Sequence, residues 1–161
     1  MSKISPFLWF DKEAEEAARF YVAIFPNSRI VSVNGLPTDL PHTGAKAGDV
    51  MTVTFELDGL PYVAMNGGPG HPFTDAISLT VDCDGQDEVD RYWNALTADG
   101  GQEIACGWLK DRYGLCWQVT PRQLIEMTTG PDKAAAARVF QAMMGMVKID
   151  VAKLQQAHDA G

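Results

Sequence analysis

No run of apolar residues in this sequence approaches the roughly 20 needed to span a bilayer. The opening Met1-Ser2-Lys3-Ile4-Ser5-Pro6 lacks the basic segment, apolar stretch and small-residue cleavage site of a secretory signal. The chain is therefore expected in the cytoplasm, away from membranes. Cysteine is scarce: Cys83, Cys106 and Cys116 are odd in number and form no Cys-x-x-Cys pair, so neither a disulfide framework nor a thiolate zinc site is indicated. Histidine is equally scarce. His42, His71 and His158 lack the spacing of a helical His-Glu-x-x-His or a strand-borne His-x-His, and each reads as a surface residue, with His71 a lesser candidate for a ligand contact or an acid-base group. Basic charge is also in deficit, 13 Lys and Arg against 21 Asp and Glu for a net charge of −8. Such a surface repels phosphate backbones and anionic headgroups; a small neutral or cationic ligand suits it better. There is no Gly-x-Ser-x-Gly elbow. The run Gly67-Gly68-Pro69-Gly70 is broken by proline and leads into another strand rather than a helix, so it is no phosphate cradle.

What is present is 161 residues, 46% of them hydrophobic, enough for one globular domain or two small halves. An apolar strand over Ile4 to Phe10 is followed by Asp11 as N-cap and by Ala14, Ala17, Ala18, Tyr21, Ile24 and Phe25 at helical spacing up to Pro26. Ser28 to Val33 reads as a strand, 34–48 as a long loop, and Val50 to Leu57 alternates strictly before Asp58-Gly59 turns into Tyr62 to Asn66. The pattern then restarts, with a strand from Ala76 to Val81 and a helical stripe of Val89, Tyr92, Trp93 and Leu96 closed by Gly100-Gly101. Strands over Glu103 to Cys106, Trp108 to Lys110 and Leu115 to Val119 follow. Arg19-Phe20-Tyr21-Val22-Ala23-Ile24 matches Arg91-Tyr92-Trp93-Asn94-Ala95-Leu96, 72 positions on, so the chain repeats a β-α-β-β-β unit. The units are expected over 1–70 and 71–125 of a single α+β domain, with a helical segment over 126–161. There Gly130-Pro131 fits a helix start, Val139, Phe140, Met143, Met144 and Val147 form an apolar stripe for packing against the sheet or a second subunit, and Ile149 and Leu154 form a hydrophobic staple around Asp150.

Alternation also sorts the strand side chains. Thr52, Thr54 and Glu56, then Ala76, Ser78 and Thr80, then Gly114, Cys116 and Gln118 make small or polar faces opposite apolar ones. In a curved sheet with helices on the apolar side, those faces line a cavity suited to a small molecule, with Trp9, Trp108 and Trp117 nearby. The alternative is a solvated face.

The segments FLWFDKEAEEAARFYVAIFPNSRI, YVAMNGGP and CGWLKDRYGLCWQVTP, with the tail AMMGMVKIDVAKLQQA, resemble the PhnB-like family of the vicinal oxygen chelate superfamily, which includes glyoxalase I, bleomycin-resistance proteins and extradiol dioxygenases. The resemblance implies paired β-α-β-β-β units in a curved, half-open barrel, and a homodimer. Metal enzymes of the superfamily take ligands from the first and last strands of each unit, places that carry Pro6 or Phe7, Val63 to Met65, Ala76 and Gln118 here. Only Gln118 has a metal-ligating side chain, a neutral amide oxygen. No metal or cofactor is therefore expected, no catalytic residue is assigned, and the ligand-binding candidates are Trp9, Met65, Asn66, Ser78, Cys106, Trp108 and Gln118. The alternatives are a divalent-metal enzyme (a lyase, isomerase or dioxygenase) using substitutes such as Glu56 or Asn66, and the demethylubiquinone methyltransferase often given as the family's label. The chain has no Rossmann-type glycine loop for S-adenosylmethionine.

Overall fold

The computed structural model describes residues 3–161, and the chain divides into two compact units, Met1–Pro72 and Phe73–Gly161. In the first, β1 (Phe7–Phe10), α1 (Ala14–Ile24), β2 (Arg29–Gly35), β3 (Val50–Leu57) and β4 (Leu60–Asn66) form a mixed sheet of order β1-β4-β3-β2. The second repeats it with β5 (Leu79–Cys83), α2 (Gln86–Thr97), β6 (Gln102–Glu103), β7 (Trp108–Lys110) and β8 (Cys116–Pro121) in the order β5-β8-β7-β6. In each unit the first strand pairs in parallel with the last and the others run antiparallel. This is the expected α+β architecture of paired β-α-β-β-β units.

Helices α1 and α2 bury most of the residues in the stripe that their spacing sets out. In α1 these are Ala14, Ala17, Ala18 and Tyr21, whose ring stacks on Phe55 of β3. In α2 they are Val89, Tyr92, Trp93 and Leu96. Tyr21 and Trp93, equivalent in the repeat, are both fully buried. The Asp58-Gly59 turn has positive φ at both positions (46° and 78°), the geometry that a two-residue hairpin needs to match strand twist.

Several boundaries differ from the sequence reading, each for a physical reason. Strand β1 begins at Phe7 rather than Ile4, just after Pro6, which has no N–H to donate. Asp11 does not cap α1. Position N-cap falls on Glu13, whose side chain makes no capping bond, and the Ala14 N–H donates instead to Asn66 Oδ1 at 2.8 Å. Strand β5 starts at Leu79, three residues later than expected, and β6 stops at Glu103 because the chain turns at Cys106 and Gly107, with φ of 59° and 81°. That turn aims the N–H groups of Cys106 and Gly107 at the Met146 and Val147 carbonyls, both at 2.8 Å. Helix α2 ends at Thr97 and passes into a short 3₁₀ turn.

Beyond β8 come α3 (Arg122–Thr129), α4 (Lys133–Met144) and α5 (Val151–Asp159), all in the second unit. Asp132, not Gly130, caps α4, because its carboxylate accepts from the Ala134 and Ala135 N–H groups, both at 3.0 Å. Asp150 caps α5, with Ile149 and Leu154 buried on either side as the staple requires. The expected stripe is only partly covered: Val139 of α4 is buried, but Phe140 and Met144 of the same helix, and Val147 beyond its end, are about half exposed.

Candidate functional site

The seven candidates fall in both units. In the first, Trp9 of β1 pairs with Met65 of β4, and Met65 pairs with Thr52 of β3, so the three share the face away from α1. Trp9 is held in place: its Nε1 donates to the Gly68 carbonyl at 2.8 Å and its ring lies 4.5 Å from that of His71. Gly67 is required beneath it, since a Cβ there would overlap the indole carbons. Asn66 points the other way. With Oδ1 on Ala14 and Nδ2 donating to the Val50 carbonyl at 3.0 Å, its amide ties α1 to the sheet. A cavity of about 470 Å³ beside it is lined by Asp11, Leu36, Leu40 and Thr43 among others.

The second unit gathers the other four. On the face of its sheet away from α2, register sets Trp108 (β7), Gln118 (β8) and Thr80 (β5) in one row across three strands. The next row toward the start of β8 holds Lys110 and Cys116, and the next toward its end holds Thr120 and Asp82. Segment 73–78 crosses this face. Ser78 Oγ accepts from Gln118 Nε2 at 2.9 Å, and the Asp75 carboxylate meets Lys110 Nζ at 2.7 Å, an ion pair that raises the pKa of the Lys110 ammonium above its ordinary value. Cys116 is fully buried in the same row, and burial raises its thiol pKa. These ties explain the late start of β5: Asp75 and Ser78 bond to side chains of the sheet, and Ala76 lies in a turn.

Toward the other end, α3 and α4 close over the same face. A cavity of about 450 Å³ lies there, lined by Trp108, Gln118 and Cys106 with Leu124, Phe140 and Met143. Its floor is polar and its helical wall apolar, the usual composition of a small-molecule site. A larger cleft of about 710 Å³ opens near the starts of α2 and α5, but its charges are matched to each other, Asp90 with Lys148 at 2.6 Å and Asp150 with Lys153 at 3.7 Å. The Gln86 amide there is already engaged by Ile149 and Val151.

Sequence reasoning placed Trp117 near the cavity, yet it points to the helix side and is buried. Its Nε1 donates at 2.9 Å to Asp111 Oδ2. Asp111, which that reading passed over, is the buried charged residue among those described, 2% exposed. Its Oδ1 also accepts from the Tyr113 and Leu115 N–H groups at 2.8 and 3.1 Å, fixing the β7–β8 turn that sets Trp108 opposite Gln118. The only forecast available was Asp-x-x-Gly between two apolar runs, an ordinary turn signal.

The superfamily's metal places do not suit a divalent ion here. Phe7, Val63 and Met65 offer no hard donor, Ala76 has no ligating atom, and Gln118 is neutral and bonded to Ser78. The substitutes are engaged as well. Glu56 forms a two-pronged pair with Arg29 at 2.7 and 3.1 Å, which lowers its carboxyl pKa, and Asn66 holds α1. Among the described residues, no group of three or more His, Cys, Asp or Glu is placed to hold a metal ion.

Comparison with known proteins gives the family. Residues 2–120 match the family model described as 3-demethylubiquinone-9 3-methyltransferase. A PhnB protein from Bacillus cereus, provisionally described as the same methyltransferase, is 35% identical over 74% of this chain and 99% of its own, with a TM-score of 0.65. A Pseudomonas aeruginosa protein shares the fold at 19% identity, covering 75% of this chain and 98% of its own, with a TM-score of 0.61. The fosfomycin resistance protein FosX of Listeria monocytogenes does so at 15% identity, covering 75% and 93%, with a TM-score of 0.50. Curated proteins gave no match. The chain thus belongs to the PhnB-like family, the group described as 3-demethylubiquinone-9 3-methyltransferase, within the vicinal oxygen chelate superfamily.

Proposed function

We propose that this protein binds a small organic molecule in the cavity of its second unit without a glyoxalase-type metal. The observation that carries the reading is the row Trp108, Gln118 and Thr80, walled by Leu124 and Phe140. An aromatic platform, an amide and apolar walls are what such a ligand needs for burial and orientation. Trp9 and Met65 offer a similar apolar face on the first unit. Ligation chemistry supports metal independence, because the donor set is apolar, neutral or engaged elsewhere. A homodimer and a cytoplasmic location belong to the same reading; no helix among the described residues is long and apolar enough to cross a membrane.

The test is a thermal-shift screen of apolar and cationic small molecules, run with and without EDTA and followed by titration of Trp108→Leu and Gln118→Ala. Hits that raise the melting temperature equally in EDTA, and weaken in both variants, support the reading. Hits that need added manganese, nickel or zinc contradict it. The family description favours methyl transfer as a second reading. It requires saturable binding of S-adenosylmethionine, and equilibrium dialysis showing none would remove it.

A further inference from the structure

The second unit's cavity carries one carboxylate, and that group has no counter-ion among the described residues. Asp82 lies on the edge strand β5, exposed, in register with Thr120 and one row beyond Gln118. The carboxylates before and after it along the chain have partners: Asp75 meets Lys110 at 2.7 Å and Asp84 meets Arg122 at 3.6 Å. Among the described residues no Lys, Arg or His nitrogen lies within 4.0 Å of Asp82. The rest of the lining is uncharged, with Thr80, Gln118, Thr120 and Thr128 as polar groups and the indole of Trp108 across the sheet.

From this arrangement we infer that the cavity selects an organic cation, an ammonium or guanidinium group joined to an apolar body. The inference rests on the cavity being the ligand site. A cation at Asp82 gains a Coulomb interaction of the modest, salt-screened size expected at an exposed carboxylate. Its body then lies against Trp108 and Phe140, and an aromatic face adds attraction for the positive end. An anion of the same shape meets an unneutralised carboxylate in a chain of net charge −8. Two strand spacings across the sheet and one row along it separate Trp108 from Asp82, about 12 Å between backbones, a span that an arylbutylamine bridges from side chain to side chain.

Calorimetric titration of the full chain with phenylbutylamine, phenylbutanol and phenylbutanoate tests this. The amine is expected to bind about two- to fivefold more tightly than the alcohol at low ionic strength, with the carboxylate weakest, and the preference shrinks as salt is raised. Asp82→Asn, an exposed change that breaks no hydrogen bond of the fold, should bring the amine down to the alcohol. Equal binding of amine and alcohol by the unaltered protein, or a preference that survives Asp82→Asn, overturns the inference while leaving the cavity as a binding site. If the unaltered protein binds none of the three, this inference and the proposed ligand site both fall.

Discussion

Replacing Asp111 by alanine removes one side chain that satisfies three donors at once. Tyr113 and Leu115 lose the acceptor for their backbone N–H groups and Trp117 loses it for its indole. The Leu115 N–H and the Trp117 Nε1 are buried, and each orphaned buried donor costs about 1–3 kcal/mol. The substitution should therefore lower stability by about 2–6 kcal/mol, a large share of the roughly 5–15 kcal/mol that holds a domain of this size together. Asparagine is milder. Its oxygen can still accept from both backbone groups, but its NH2 faces the indole donor, for a loss of about 1–3 kcal/mol. Urea unfolding followed by circular dichroism gives both values. Because the clash involves the indole N–H, Asp111→Asn should cost less in a Trp117→Phe background, and a double-mutant cycle measures the coupling. A loss below about 1 kcal/mol for Asp111→Ala, or additive effects in the cycle, would refute the view that this carboxylate pins the β7–β8 turn.

Three further outcomes follow from the same geometry. Gly67→Ala should push the Trp9 indole off the Gly68 carbonyl and change tryptophan emission, destabilising by about 1–3 kcal/mol; unchanged emission would contradict the packing described. Asn66→Ala should cost about 1–2 kcal/mol through the lost cap of α1, with amide hydrogen exchange rising first at Ala14 and its neighbours. Burial pushes the Cys83 thiol up to about 12 from 9.0 and also raises Cys116. The native protein should therefore react with Ellman's reagent at Cys106 alone, all three thiols becoming reactive in denaturant. The stability Cys83 contributes is present below pH 9.0 and is lost as pH rises toward 12, so the alkaline fall in the urea midpoint should be shallower in Cys83→Ala.

The elements most legible in the sequence were those whose pattern is local. Val89, Tyr92, Trp93 and Leu96 fall at consecutive helical offsets, and Val53, Phe55 and Leu57 alternate on one side of β3; both sets are buried. The repeat of α1 in α2 came from residues and survived in packing. What escaped was set by contacts distant in sequence. Asn66 caps a helix 52 residues away, so no window around Asp11 could reveal it. The start of β5 shifted because Asp75 and Ser78 bind Lys110 and Gln118, 35 and 40 positions on. Four candidate residues, Ser78, Cys106, Trp108 and Gln118, were brought together because their strands and turn share one face. Asn66 was separated from Met65 by the same alternation, which turns neighbouring side chains to opposite sides.

Ligand binding without a metal ion is checked by elemental analysis of protein purified without added metal or chelator. The analysis is repeated after dialysis against manganese, nickel and zinc. Far less than one ion per chain is expected in either case, with no change in Gln118→Ala. About one tightly held divalent ion per chain, lost on Gln118→Ala, would contradict binding without a metal ion and restore a metal-dependent reaction on this scaffold.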